Sequence, residues 1–107
     1  LCFEIGKFVS TLHLNNLIHG DLTPSNFIVN SKVTMIDMGL SFYSTREEDK
    51  AMDIRLFKEI LTSTFHNSYT EFFGYFLKGY RHVNSEELEK ILQRIEDIES
   101  RKRYAIS

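Results

Sequence analysis

Two stretches of helical periodicity are separated by a polar segment boxed between short apolar runs, and this interruption limits what the chain can fold into. Leu1 to Leu14 puts Ile5, Phe8, Val9 and Leu12 at helical spacing, and Asn15-Asn16 ends that helix. Leu17-Ile18 follows, then the polar run from His19 to Asn26, then the apolar triplet Phe27-Ile28-Val29. Asn30-Ser31-Lys32 predicts a hairpin turn into a second short strand, Val33 to Ile36. Ser41 to Glu48 reads as loop. From Asp49 to Leu61 the helical pattern returns with Met52, Leu56, Phe57 and Ile60 on one side, and Met52 reads as core. Tyr69 to Tyr80 predicts a third helix carrying Phe72, Phe73, Phe76 and Leu77. Ser85 reads as the N-cap of a last helix, with Glu86 and Glu87 at its positive end and Leu88, Ile91, Leu92, Ile95 and Ile98 as its stripe. The expected architecture is mainly α with a small β-hairpin insert.

At 107 residues the chain suits one domain, which buries roughly two-thirds of its unfolded surface. A formal net charge of −2 excludes a polycation, so any nucleic-acid contact must come from a local patch. The single cysteine, Cys2, excludes an internal disulfide framework and fits a reducing compartment. No apolar run approaches the roughly 18 residues of a membrane span, and Glu4 and Lys7 interrupt any signal-peptide pattern. The sequence opens directly into a helix, without Met, and we expect a segment to precede it.

The polar insert carries the chemistry. His19-Gly20-Asp21-Leu22-Thr23-Pro24-Ser25-Asn26 is followed, after the hairpin, by Asp37-Met38-Gly39. Two carboxylates and one amide at the ends of short strands are hard oxygen donors that suit Mg²⁺ together with phosphate oxygens. Asp21 is a candidate to orient or deprotonate an attacking hydroxyl or water, with Asn26 and Asp37 as metal ligands. Asp and Asn are also ordinary turn formers, so the pattern rests on order and spacing together.

That order resembles the protein-kinase set, in which H-R-D-L-x-x-x-N precedes D-F-G. By this resemblance Asp21 matches the catalytic-loop Asp, Asn26 its metal-binding partner and Asp37 the metal ligand of the second motif, while His19 packs and hydrogen-bonds the loop. Gly20 replaces the usual Arg, Thr23 the usual Lys, and only nine residues separate Gly39 from Asp49 with no A-P-E after them. A long activation segment ordered by phosphorylation does not fit. Glu48-Asp49-Lys50-Ala51-Met52-Asp53 resembles the EDKAVD signature, and Ser100-Arg101-Lys102-Arg103 the terminal GRKR segment, of the PRPK-type kinase subunit of the KEOPS (EKC) complex. Asp53 would then be the buried helix Asp that braces the catalytic loop.

The resemblance implies the C-terminal lobe of a protein-kinase-like fold over residues 1–107, with a catalytic loop at 19–26, a metal-binding motif at 37–39 and a basic tail at 101–103. It implies an atypical Ser/Thr kinase or ATPase that uses ATP and Mg²⁺ to support threonylcarbamoyl-adenosine formation in tRNA. Expected partners are the KEOPS catalytic subunit and other KEOPS subunits, with tRNA met through Arg101, Lys102 and Arg103, and no membrane; the expected compartments are cytoplasm and nucleus. No Gly-rich loop, phosphate-binding strand Lys or paired helix Glu is found in these residues, so the N-terminal lobe is absent and 107 residues alone are expected to be inactive. Two other readings stay open: a RIO-type or aminoglycoside-like phosphotransferase, and a non-catalytic docking module. The basic tail reads equally as a solvated helix end. His13 reads as a helix-end or core histidine, His66 and His82 as surface residues, and Ser44 and Thr45 as candidate autophosphorylation sites.

Overall fold

The computed structural model describes residues 2–22, 27–29, 33–35 and 41–106, and side chains for 2–22 and 41–101. Helix α1 (Cys2–Leu14) leads into strand β1 (Leu17–Ile18), followed by β2 (Phe27–Val29), β3 (Val33–Met35), β4 (Phe42–Tyr43), α2 (Glu47–Thr64) and α3 (Tyr69–Ile106). The hairpin expected from the apolar triplet is present, with Phe27 opposite Met35, Ile28 opposite Thr34 and Val29 opposite Val33. A second antiparallel pair was not expected. Phe42–Tyr43, read as loop, lies against β1, with Leu17 opposite Tyr43 and Ile18 opposite Phe42. Two-residue strands are too short to show an alternating pattern, so only the return of the chain to β1 reveals them.

Helix α1 ends where Asn16 takes a left-handed φ of 59°, a conformation Asn tolerates better than most residues. Its buried face is Ile5, Gly6, Val9, Ser10 and His13, and it packs chiefly against α3. The backbones approach closely: a Cβ on Gly6 would overlap the Phe76 carbonyl oxygen, and one on Gly79 the Phe3 carbonyl oxygen. The crossing therefore admits no side chain at either point.

Helix α2 starts two residues before the expected Asp49, with Glu47, Glu48 and Asp49 at its positive end. Its inward face is Lys50, Ala51, Asp53, Ile54, Phe57 and Leu61. This corrects the sequence stripe: Met52 is 44% exposed and Leu56 and Ile60 are only half-buried. Two charged residues take core positions because each has a polar partner there, and they turn the helix away from the face that hydrophobicity alone selects. In α3 the two expected helices are joined at Asn84, whose non-helical φ of −152° and ψ of 88° mark a kink. Asn84 also corrects the expected cap: its Oδ1 accepts the Glu87 N–H at 3.2 Å, a role assigned by sequence to Ser85. The core joins all three helices through Ile5, Val9, Ile54, Phe57, Phe76 and Tyr80, with the rings of Phe57 and Phe76 stacked 4.6 Å apart. Among the described residues no helix is long and apolar enough to cross a membrane.

Candidate active site

The loop that begins at His19 leaves β1 on top of this core, and Asp53 of α2 stands beneath it. Asp53 is 3% exposed. Its Oδ2 accepts the His19 backbone N–H at 2.8 Å and its Oδ1 the Gly20 N–H at 2.9 Å. One carboxylate thus grips two consecutive amides, which fixes the direction in which the chain enters Asp21. Gly20 has a φ of 87°, in the region that favours glycine, so this turn gives a steric reason for Gly at a position where kinases commonly carry Arg. The loop also braces itself: the Asp21 N–H donates to His19 Nδ1 at 3.1 Å. His19 is 1% exposed and Leu22 is fully buried, whereas Asp21 between them is half-buried. The segment therefore has two anchors in the core and one carboxylate nearer the surface.

A second layer supports the first. His13, at the end of α1, is a core histidine whose Nε2 lies 3.0 Å from Asp53 Oδ2 and whose Nδ1 lies 2.7 Å from the Tyr80 hydroxyl of α3. Burial, and then the nearby carboxylates of Glu87 and Asp53, raise the Tyr80 pKa far above the ordinary phenol value. Glu87 is itself paired with Lys50 at 2.6 Å in a contact largely shielded from water. Neither His13 nor Tyr80 was assigned a place at the site from sequence. The signal was present in the spacing: Ile5, Val9 and His13 form an i, i+4 series on the buried face of α1, as Phe76 and Tyr80 do on α3.

The remaining expected site residues fall differently. Thr23–Asn26 and Asp37 lie outside the described residues, so the expected metal pair Asn26 and Asp37 has no geometry to report. Among the described residues no group of three or more His, Cys, Asp or Glu is placed to hold a metal ion. Ser44 is engaged at the start of α2, where its hydroxyl donates to Asp49 at 2.6 Å and accepts the Arg46 N–H at 3.1 Å. His66 and His82 are exposed, as expected. Arg101 lies within α3 and pairs with Glu48 at 3.1 Å, while the side chains of Lys102 and Arg103 are outside the described set.

A helical body with a β-hairpin and a short strand pair, carrying a His-Gly-Asp-Leu loop over a buried helix aspartate, is the mainly α C-terminal lobe of a kinase-like fold. No protein-family model matches the chain. Three named proteins are similar to it along most of its length. The protein named "EKC/KEOPS complex subunit BUD32" of Enterocytozoon bieneusi is 50% identical over 95 residues, which is 89% of this chain and 44% of the relative. The protein of the same name from Debaryomyces hansenii is 36% identical over 114 residues, covering 96% of this chain and 44% of the relative. A "Probable bifunctional tRNA threonylcarbamoyladenosine biosynthesis protein" of Methanocaldococcus jannaschii is 42% identical over 104 residues, 97% of this chain and 19% of the relative. The chain is a homologue of these proteins along nearly its whole length, and it spans less than half the length of each.

Proposed function

We propose that this chain is the catalytic-loop lobe of a KEOPS-type atypical kinase or ATPase, which turns over Mg-ATP in support of threonylcarbamoyl-adenosine formation in tRNA. The observation that carries the reading is the double grip of Asp53 on the His19 and Gly20 amides, immediately before Asp21. Phosphoryl transfer is catalysed mostly by positioning and charge neutralisation, and this grip holds a half-exposed carboxylate on a rigid base. In this role Asp21 orients the attacking water or hydroxyl and accepts its proton, while His19 and Asp53 hold the loop. Asp21, Asn26 and Asp37 form an all-oxygen donor set of the kind Mg²⁺ prefers, and Asn26 and Asp37 would hold the ion. Bound Mg²⁺ neutralises charge that develops on the phosphate oxygens.

Thr23, in place of the usual loop Lys, fits hydrolysis better than transfer to a protein hydroxyl. The relatives are named as subunits of a complex, and a homologous stretch occupies about a fifth of a polypeptide named bifunctional. Both fit a lobe that works beside a second catalytic unit, and we assign the KEOPS catalytic subunit as its partner. The test is ATP hydrolysis by the full-length protein. Asp21→Asn and Asp37→Asn should each reduce turnover by about a hundredfold or more, the usual scale for a general base or metal ligand. Undiminished turnover in either variant would refute the assignment.

A further inference from the structure

Asp53 is held in turn by two residues from other helices, and the farther of them, Tyr80, lies outside every motif in the sequence. The Tyr80 hydroxyl is 2.7 Å from His13 Nδ1, and His13 Nε2 is 3.0 Å from Asp53 Oδ2. An ionised carboxylate can only accept, so the proton in the second contact sits on Nε2. In a neutral imidazole the other nitrogen is then bare and must accept, which makes the Tyr80 hydroxyl the donor. The phenol is suited to that part, because burial keeps it protonated. With His13 neutral, this is a one-way chain of donors from α3 through α1 into the carboxylate, which receives the His19 and Gly20 amides beside the His13 ring.

We infer that Tyr80 is a positioning residue for the loop 19–22, its hydroxyl fixing the plane of the His13 ring through Nδ1 so that the Nε2–H locks the Asp53 carboxylate in the orientation that grips the loop amides. The consequence for turnover rests on the ATP reading above; the consequence for the loop does not. Without the hydroxyl, His13 Nδ1 is left buried without a donor and the ring loses one of the two contacts that fix its plane. The Asp53 carboxylate is then free to turn away from one of the two amides.

The experiment compares the full-length protein with its Tyr80→Phe variant, which keeps the ring that packs against Phe76. Proton–nitrogen correlation of the His13 ring should show Nε2 protonated and Nδ1 bare in the parent, and a shift of the Nδ1 resonance in the variant as its hydrogen bond is lost. Amide exchange at His19 and Gly20 should quicken about tenfold, the equivalent of one buried hydrogen bond, and kcat for ATP should fall by a similar factor with KM unchanged. A doubly protonated His13 ring in the parent, or an unaltered ring pattern and unaltered exchange in the variant, overturns the inference. If ring and exchange respond while the parent turns over no ATP, the ATP reading fails and the positioning role stands. Should Tyr80→Phe not fold, His13→Gln and His13→Leu carry the test. Amide protection retained by Gln alone supports the role, and equal behaviour of the two overturns it.

Discussion

Asp53 gathers three donors within 3.0 Å, the His13 and His19 contacts buried and that of the exposed Gly20 part-buried, and its removal leaves the two buried ones unsatisfied. Each buried donor left unsatisfied costs about 1–3 kcal/mol. Asp53→Ala should therefore lower the unfolding free energy by about 2 kcal/mol or more, a shift that denaturant titration of the full-length protein would detect. Tyr80 permits a second prediction with a definite sign. Its folded-state pKa lies above the value of about 10 that a tyrosine has in an unfolded chain, so the fold prefers the protonated phenol. Its contribution to stability is complete below that pH and is lost as pH rises beyond it. Tyr80→Phe should leave the tyrosinate absorbance change below the unfolding pH untouched, although the chain then has one tyrosine fewer than its five. A smaller absorbance change in the variant would show that Tyr80 titrates in the native state.

At the level of elements, the contact between α1 and α3 sets propensity against space. In a helix interior alanine is favoured over glycine by about 1 kcal/mol. Gly74 has nothing within reach of a Cβ, so Gly74→Ala should raise thermal stability by up to that amount. At Gly6 and Gly79 the new methyl would collide with backbone on the facing helix, which cannot move without parting the pair. Overpacking typically costs about 1–3 kcal/mol and outweighs the propensity gain, so Gly6→Ala and Gly79→Ala should both lower Tm. Opposite signs for the same substitution test the crossing directly. The kink has its own device. Asn84→Ala removes the side-chain acceptor of the Glu87 N–H and should cost about 1 kcal/mol, measured in the same way.

Across the whole molecule, the end of α3 is tied back to α2 by exposed ion pairs. Arg101 meets Glu48 at 3.1 Å, Lys58 meets Glu99 at 3.7 Å and Arg94 meets Glu47 at 4.0 Å. Surface pairs of this kind contribute about 0–1 kcal/mol and are screened by salt. Arg101→Ala should therefore leave stability nearly unchanged, with Glu48 still paired to Arg46. If tRNA meets it, replacing Arg101, Lys102 and Arg103 together by Ala should weaken binding and flatten its salt dependence by about 0.9 for each phosphate no longer neutralised. Equal affinity and an equal slope at low salt would remove the tail from the tRNA surface.

Local signals suffice for the helical body, the hairpin and the loop that carries Asp21. Those signals are apolar residues at spacing 3–4, an Asn-Ser-Lys turn between an apolar triplet and the short run Val33 to Ile36, and polar residues in fixed order. Asp53 was readable too, because it falls within a recognisable run at the start of α2. What the sequence could not supply was the facing of α2 and the pairing of β4. Lys50 and Asp53 look like surface residues until the Glu87 carboxylate and the loop amides are brought to them, and Met52 looks like core until they take its place. The chain of hydrogen bonds from Tyr80 to the loop was hidden for the same reason. His13 and Asp53 are 40 residues apart and His13 and Tyr80 are 67 apart, and no local pattern records which distant side chain will satisfy a buried polar atom. Packing of the three helices made that choice, because only a folded interior makes leaving such an atom unpaired costly.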